Sequence, residues 1–327
     1  MNRLEKAAQL ALFESLDLQP KQTLLLVATP KLSPAAQVFR KVAEKARMEV
    51  FFLEVPHSHN KRPLLSQLSR QFLNSIGHVV LLAPHVDAES LNWLRQQNAS
   101  RVIIWPQLEE DTIQRCAGTD FRRLRERCRK LADILTIGRS LKLRLASGTE
   151  MEMTMNQRRG RIEAAPLNGE EYCCSLPSGR AYVVPQVGSV NGEVLLHAVA
   201  GEASHRAQPI RIKVVDGRLK LIKGGKSSND LRRRLRATVE ASESSAAPGK
   251  GGSGRHVVEI GFGMNENARL GQSEMEDEKV QGTVHLGFGR RGTGGKPHEV
   301  FARGIIMNPT VVIDGREIIR EGKMMFD

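Results

Sequence analysis

The sequence has few aromatic residues, few cysteines and no long apolar run. Phe, Trp and Tyr together make up 4% of 327 residues. That leaves little material for the stacking platforms that hold single-stranded nucleic acids. No apolar stretch approaches the roughly 20 residues that span a bilayer. The amino end, MNRLEKAAQLALFESL, sets charges among its apolar residues, and Leu4, Ala7, Leu10 and Phe13 recur at helical spacing. This reads as an amphipathic helix rather than a secretory signal. Of the four cysteines, Cys173 and Cys174 are adjacent, while Cys116 and Cys128 fit no zinc spacing. Reduced thiols and a cytoplasmic location follow.

Positive charge is abundant. Forty-nine Lys and Arg face 36 Asp and Glu, a net charge of +13 with histidines neutral. The densest basic run, FRRLRERCRK, places Arg122, Arg125 and Arg129 on one helical face, and a solvated face is favoured there over a binding site. Charge alone supports a nucleic-acid partner. An acidic peptide would meet such a surface as well as a phosphate backbone does.

The first 138 residues alternate helix and strand patterns. The apolar runs TLLLVAT, MEVFFLEV, HVVLLAP and RVIIWP are separated by helices through Pro34 to Ala46, near 63 to 75 and near 88 to 97. The Arg-rich helix reaching Ile137 closes the unit. Short apolar runs between helices predict an α/β domain over 1–138, with a mostly parallel sheet buried on both faces. Residues 139–327 read differently, as a β-rich α+β domain. LKLRLASGTEMEMTM, IRIKVVDGRLKLI and VVIDGREII are hairpin patterns, the last two turning at Asp216-Gly217 and Asp314-Gly315. One helix, SNDLRRRLRATVEA, interrupts them. Residues 241–256, ASESSAAPGKGGSGRH, have the composition of a disordered loop.

Two strands share one pattern, VVEIGFG (257–263) and TVHLGFG (283–289). Alternation puts Val258, Ile260 and Phe262 on one face of the first, and Val284, Leu286 and Phe288 on one face of the second. Glu259 and His285 then point the other way, each before a Gly-Phe-Gly turn. Two readings of this pair stand open. It is a start for a metal or acid–base site, or a hydrogen-bonded pair steadying a strand end. Gly287-Phe-Gly-Arg-Arg-Gly292 has dinucleotide-loop spacing, but Thr293 to Pro297 cannot open the required helix and no βαβ unit surrounds it. His57-Ser-His59 beside Pro56 reads as a solvated loop pair.

Gly282-Thr-Val-His285, VVEIGFGMNENA, LPSGRAYVVPQVGSVNG (176–192) and IIMNPTVVIDG (305–315) resemble the aminopeptidase T-type metallopeptidases. The resemblance implies an α/β domain followed by a β-rich domain with a two-metal site, and a homodimer. Carried over residue by residue, the family's second glutamate falls on Glu259 and its histidine on His285. Its first glutamate falls on Arg180. Its closing His-x-Asp pair falls, without a gap, on Ala302 and Gly304, and its tyrosine has no counterpart. Two of five ligands then remain, and a catalytic zinc holds three. A guanidinium at position 180, charged at any working pH, would sit beside Glu259 in the cation's place.

On this reading the site is an emptied one, with no cofactor and no catalytic residue. The small residues at 302 and 304 would leave open volume there. The expected function is that of a pseudoenzyme binding an acidic peptide through Arg180, Glu259, His285, Arg290, Arg291 and Arg303. Catalytically empty proteins that the chain resembles hold a precursor peptide in ribosomal-peptide natural-product pathways such as that of crocagin. The alternative is a metallohydrolase or a mononuclear-iron dioxygenase, similar to the dihydroxypyridine-cleaving relatives, with a rebuilt ligand set. That would require His285 to converge with partners such as His298 or Glu299.

Overall fold

A computed structural model describes residues 2–55, 72, 75–83, 101–105, 109–155, 158–167, 173–202, 208–243, 255–292 and 298–326. The chain divides into two compact units, one of residues 1–125 with 163–178 and the other of 126–162 with 179–327. The return of 163–178 to the first unit is announced by no change of composition.

The first unit carries the parallel sheet that the apolar runs predict. Its order is Glu49–Glu54, Thr23–Ala28, His78–Leu82, Arg101–Ile104 and Cys173–Ser175, every pair parallel. Leu24 through Ala28 are buried, which is why this stretch reads as a continuous apolar run. The fifth strand is only three residues long, too short for any periodic signal. Helix Ser33–Lys45 begins with Pro34 in its first turn, where a missing N–H is harmless. Its Phe39 meets Trp105 edge to face at 6.4 Å. Asn2 and Glu5 form a reciprocal capping box on helix Arg3–Gln9.

The long helix is Phe121–Ile137, as its pattern predicts. Its solvated-face reading needs correction at one position. Arg122 and Arg129 are exposed, but Arg125 is buried and donates from Nη1 to the Ala164 carbonyl at 2.8 Å. A long aliphatic stem lets an arginine sit inside while its head finds a carbonyl. Nearly all of the helix read near 63–75, the helix read near 88–97, the pair His57 and His59, and most of the loop 241–256 lie outside the described residues.

The second unit is one large sheet. Its three hairpins pair as read, Ser140–Arg144 with Glu150–Thr154, Ile210–Val215 with Arg218–Lys223, and Thr310–Ile313 with Arg316–Arg320. Asp216, Gly217, Asp314 and Gly315 all have positive φ, which two-residue primed turns require. Helix Lys226–Glu243 interrupts the strands. The sheet's central run is Asn191–Leu196, Ile210–Val215, Arg218–Lys223, His256–Gly263, Val284–Arg290 and Glu299–Ile306. Arg180–Val183 joins His256–Gly263 as a branch. Among the described residues no helix is long and apolar enough to cross a membrane.

Asp314 shows how one turn side chain ties two hairpins together. Its carboxylate accepts from Arg139 N at 3.0 Å, Ser140 N at 2.8 Å and Ser140 Oγ at 2.9 Å. The backbone donors of Ser140 and Arg139 hold its carboxyl below the usual range. Replacing Asp314 with Ala removes these acceptors and puts a Cβ without local hydrogen bonding at positive φ. The expected loss is about 1–3 kcal/mol in denaturant unfolding, with Asp314→Asn keeping part of it. An alanine variant as stable as the parent would show that the tie carries nothing.

Candidate active site

The site is built on four neighbouring strands. Register places Gly261 between Tyr182 and His285, and Gly287 between Glu259 and Arg303. Arg180 pairs with Gly263. Directly paired residues share a face, so Arg180, Tyr182, Glu259, His285 and Arg303 all project to one side. The Gly-Phe-Gly stretches expected as turns lie inside strands instead. Their glycines make room for the cluster. A Cβ on Gly261 would lie 2.1 Å from His285 Nε2, and one on Gly287 would lie 2.9 Å from Glu259 Cβ. The imidazole therefore lies across a strand that has no side chain there.

At the centre is one nitrogen. Arg180 Nη1 donates to Glu259 Oε1 at 2.8 Å and to Glu278 Oε2 at 3.0 Å, and lies 3.2 Å from His285 Nε2. The expected pairing of Arg180 with Glu259 is thus present. Arg303 Nε adds contacts to Glu278 Oε2 at 2.8 Å and Glu259 Oε1 at 3.3 Å, and its Nη1 reaches Glu274 at 3.4 Å. Lys279 Nζ pairs with Glu278 Oε1. The Arg180 guanidinium lies over the Tyr182 ring, 4.6 Å from its centroid, in cation–π range. Arg180, Glu259, Glu278 and His285 are buried, whereas Arg303 keeps 17% of its side chain exposed.

Burial alone would raise the Glu259 carboxyl, but the guanidiniums of Arg180 and Arg303 outweigh it and hold it well below the usual range. Burial is also the main cause that lowers His285, with Arg180 adding to it against the Glu259 and Glu278 carboxylates. The imidazole is therefore neutral. Its Nε2 faces both Arg180 Nη1 at 3.2 Å and Glu259 Oε1 at 3.4 Å, and its Nδ1 has no partner among the described residues.

Of the expected site residues, the structure brings together Arg180, Glu259, His285 and Arg303. Arg290 pairs instead with Glu299 at 2.7 Å, and Arg291 packs against Gly217. His298 Nδ1 accepts from Gly292 N at 3.1 Å. The convergence of His285 with His298 or Glu299 is not what the structure builds. Glu278 takes that place, through a one-turn helix Glu274–Asp277 capped by Ser273. The Ser-x-x-Glu spacing of Ser273 and Glu276 was the available signal for that helix.

Positions 302 and 304 also need correction. Ala302 pairs with Phe288 and Gly304 with Leu286, so both lie on the opposite, packed face. A Cβ on Gly304 would lie 2.5 Å from Leu196 Cδ1. Leu196 fills the volume expected to be open, and the residue of this strand that faces the cluster is Arg303. Counting lost ligands at 302 and 304 therefore says nothing about the site.

The profile of the family described as NicX, 2,5-dihydroxypyridine 5,6-dioxygenase, matches residues 10–289. The chain belongs to this dioxygenase family. Among solved structures, this dioxygenase family member is similar to the 2,5-dihydroxypyridine dioxygenase of Pseudomonas putida KT2440. The TM-score is 0.79 at 14% identity, with 99% of this chain and 96% of that one covered. It is also similar to wild-type AmpT of Thermus thermophilus, with a TM-score of 0.66, 14% identity and 99% of each chain covered. Identities this low establish the shared fold, the α/β part followed by the β-rich part. Among curated proteins there is no significant match. Family membership overturns the reading of the chain as a pseudoenzyme that binds peptide in natural-product biosynthesis, since the family is described as a dioxygenase. Resemblance in the ligand strands had pointed to the aminopeptidase branch of the fold, and missing ligands were counted on the wrong strand face.

The buried Glu259–His285 pair should shape the acid limb of stability. His285 titrates below its ordinary 6.5 and Glu259 below its ordinary 4.5. In both cases the unfolded chain takes up protons that the folded chain refuses, so stability is full above these values and falls as pH drops through them. Unfolding should become easier from pH 6.5 downward, approaching about 1.4 kcal/mol per pH unit for one proton. His285→Gln should flatten the slope between pH 6.5 and 5. Equal slopes for variant and parent in that window would mean that the imidazole is not held neutral.

Proposed function

We propose that the chain is an oxygen-dependent enzyme that opens a hydroxylated nitrogen heteroaromatic ring, acting at the cluster of Glu259, Glu278 and His285. The observation that carries this reading is the convergence of one ligand atom from each residue. The three atoms lie within 4.8 Å of one another and all three residues are buried. Support comes from the family match and from the likeness to the dihydroxypyridine dioxygenase fold.

One imidazole and two carboxylates suit a divalent first-row metal ion. The Arg180 nitrogen, 2.8 to 3.2 Å from each donor, marks where a cation is favoured. Glu259, Glu278 and His285 are therefore the residues that would hold the ion. When bound, such an ion supplies the redox chemistry that dioxygen needs to react with a closed-shell aromatic ring. The protein's share is electrostatic. Arg303, a cation that keeps part of its side chain exposed, offers a fixed positive charge to a deprotonated ring hydroxyl. The neutral imidazole and the ionised Glu259 keep donor lone pairs available at neutral pH.

The test is turnover of 2,5-dihydroxypyridine and related dihydroxylated pyridines by protein incubated anaerobically with ferrous iron and then given dioxygen. Loss of the aromatic absorbance should run together with dioxygen uptake. Glu278→Gln and His285→Ala should each slow it by about 100-fold or more, since even partners that only orient a ligand cost 10–100-fold. Absence of both signals with every such ring, across iron, manganese and cobalt, would sink the proposal.

A further inference from the structure

We infer that Arg180 is a built-in competitor for the cation position, so that its guanidinium and a metal ion are mutually exclusive occupants of one set of donors. The inference rests on the donor set proposed above and concerns what stands between those donors and an ion.

The geometry allows only one occupant. Nη1 stands 2.8, 3.0 and 3.2 Å from Glu259 Oε1, Glu278 Oε2 and His285 Nε2. A transition-metal ion bonds the same kinds of atom at about 2.0–2.2 Å. An ion drawing all three donors onto itself would have to take the space that Nη1 fills. Charge points the same way. A guanidinium keeps its proton at any working pH, so no pH change neutralises the competitor. A divalent ion arriving beside it would meet a second positive charge in a buried setting, where repulsion is poorly screened.

The arginine is also held by more than the donors. Its strand is fixed by pairing of Arg180 with Gly263 and Tyr182 with Gly261, and the guanidinium lies over the Tyr182 ring at 4.6 Å. Without a cation, Glu259 and Glu278 would place two carboxylates together inside the protein, with Arg303 and Lys279 among their remaining partners. An unpaired buried carboxylate costs several kcal/mol. Arg180 therefore stabilises the metal-free cluster with the same interactions by which it opposes an ion. Metal uptake becomes an exchange of one cation for another rather than the filling of a vacant cage.

The test compares metal affinity without reference to turnover. Mn(II) is titrated calorimetrically, and Co(II) by its visible ligand-field spectrum, into the parent chain, Arg180→Met and Arg180→Lys. Methionine keeps an unbranched apolar stem without the charged head, whereas a lysine ammonium can still sit among three acceptors. Affinity should rise at least about 100-fold in Arg180→Met and much less in Arg180→Lys. The gain should vanish when Glu278→Gln or His285→Ala is added. Metal should also raise the melting temperature of Arg180→Met more than that of the parent, as preferential binding to the folded state requires. Should Arg180→Met fail to fold, Arg180→Ala in millimolar guanidinium ion replaces it, and added guanidinium should displace Co(II) from its site. Equal affinity in the parent and Arg180→Met, lost on Glu278→Gln, would overturn the competition and leave the donor set standing. No specific metal uptake by any variant would overturn the donor set and the competition with it.

Discussion

The burial of a guanidinium nitrogen between two carboxylates and an imidazole is the constraint around which the β-rich unit is arranged. Arg180 comes from one strand, Glu259 and His285 from two others, and Glu278 from the end of a one-turn helix. Each would be costly to bury alone. Together they form a compensated set with Arg303 and Lys279, and the set exists only if these segments meet in one register. Shifting any of these strands by one residue would turn its polar member into the packed layer and leave its partners unpaired.

Glycine is the local means by which this is achieved. Opposite His285 stands Gly261, and between Glu259 and Arg303 stands Gly287. A side chain at either position would occupy the space now taken by the imidazole or by the Glu259 stem. The opposite face of the same strands shows the complementary pattern. Phe262, Leu286 and Phe288 are fully buried there, and Leu196 closes over Gly304. One layer of apolar packing thus pays the conformational cost of holding the polar layer in place.

The fold is shared with a 2,5-dihydroxypyridine dioxygenase and with AmpT, and a fold does not by itself select a chemistry. On the function proposed above, selection falls to the few side chains on the cluster face. In this chain they include an arginine at the cation position and a glutamate, Glu278, delivered by a segment outside the strands. The charge surplus, which suggested an acidic macromolecular partner, is partly internal. Arg125 and Arg180 are buried and Arg303 is mostly so, and each serves a carbonyl or a carboxylate.

Much of the architecture was legible in the linear chain because its signals are local. Four apolar runs between helices determined a parallel sheet, and Asp216-Gly217 and Asp314-Gly315 determined two hairpins through their tolerance of positive φ. The paired patterns around Glu259 and His285 also determined that a carboxylate and an imidazole share a face. What only the tertiary structure decided is which further residues join them. The sheet carries register shifts between Val257 and Glu259 and between Phe288 and Gly289. Such irregularities break the count of two on which strand reasoning depends. Both lie outside the stretch that holds the cluster, where Leu286, Gly287 and Phe288 pair in regular register with Gly304, Arg303 and Ala302. It is the cross-strand partner of Gly287, which the sequence does not reveal, that puts Arg303 and not Ala302 or Gly304 on the cluster face. Glu278 was hidden for a different reason. It follows a four-residue helix with no periodicity of its own, and its approach to Arg180 is a contact between residues 98 apart in sequence, which only the assembled sheet could bring together.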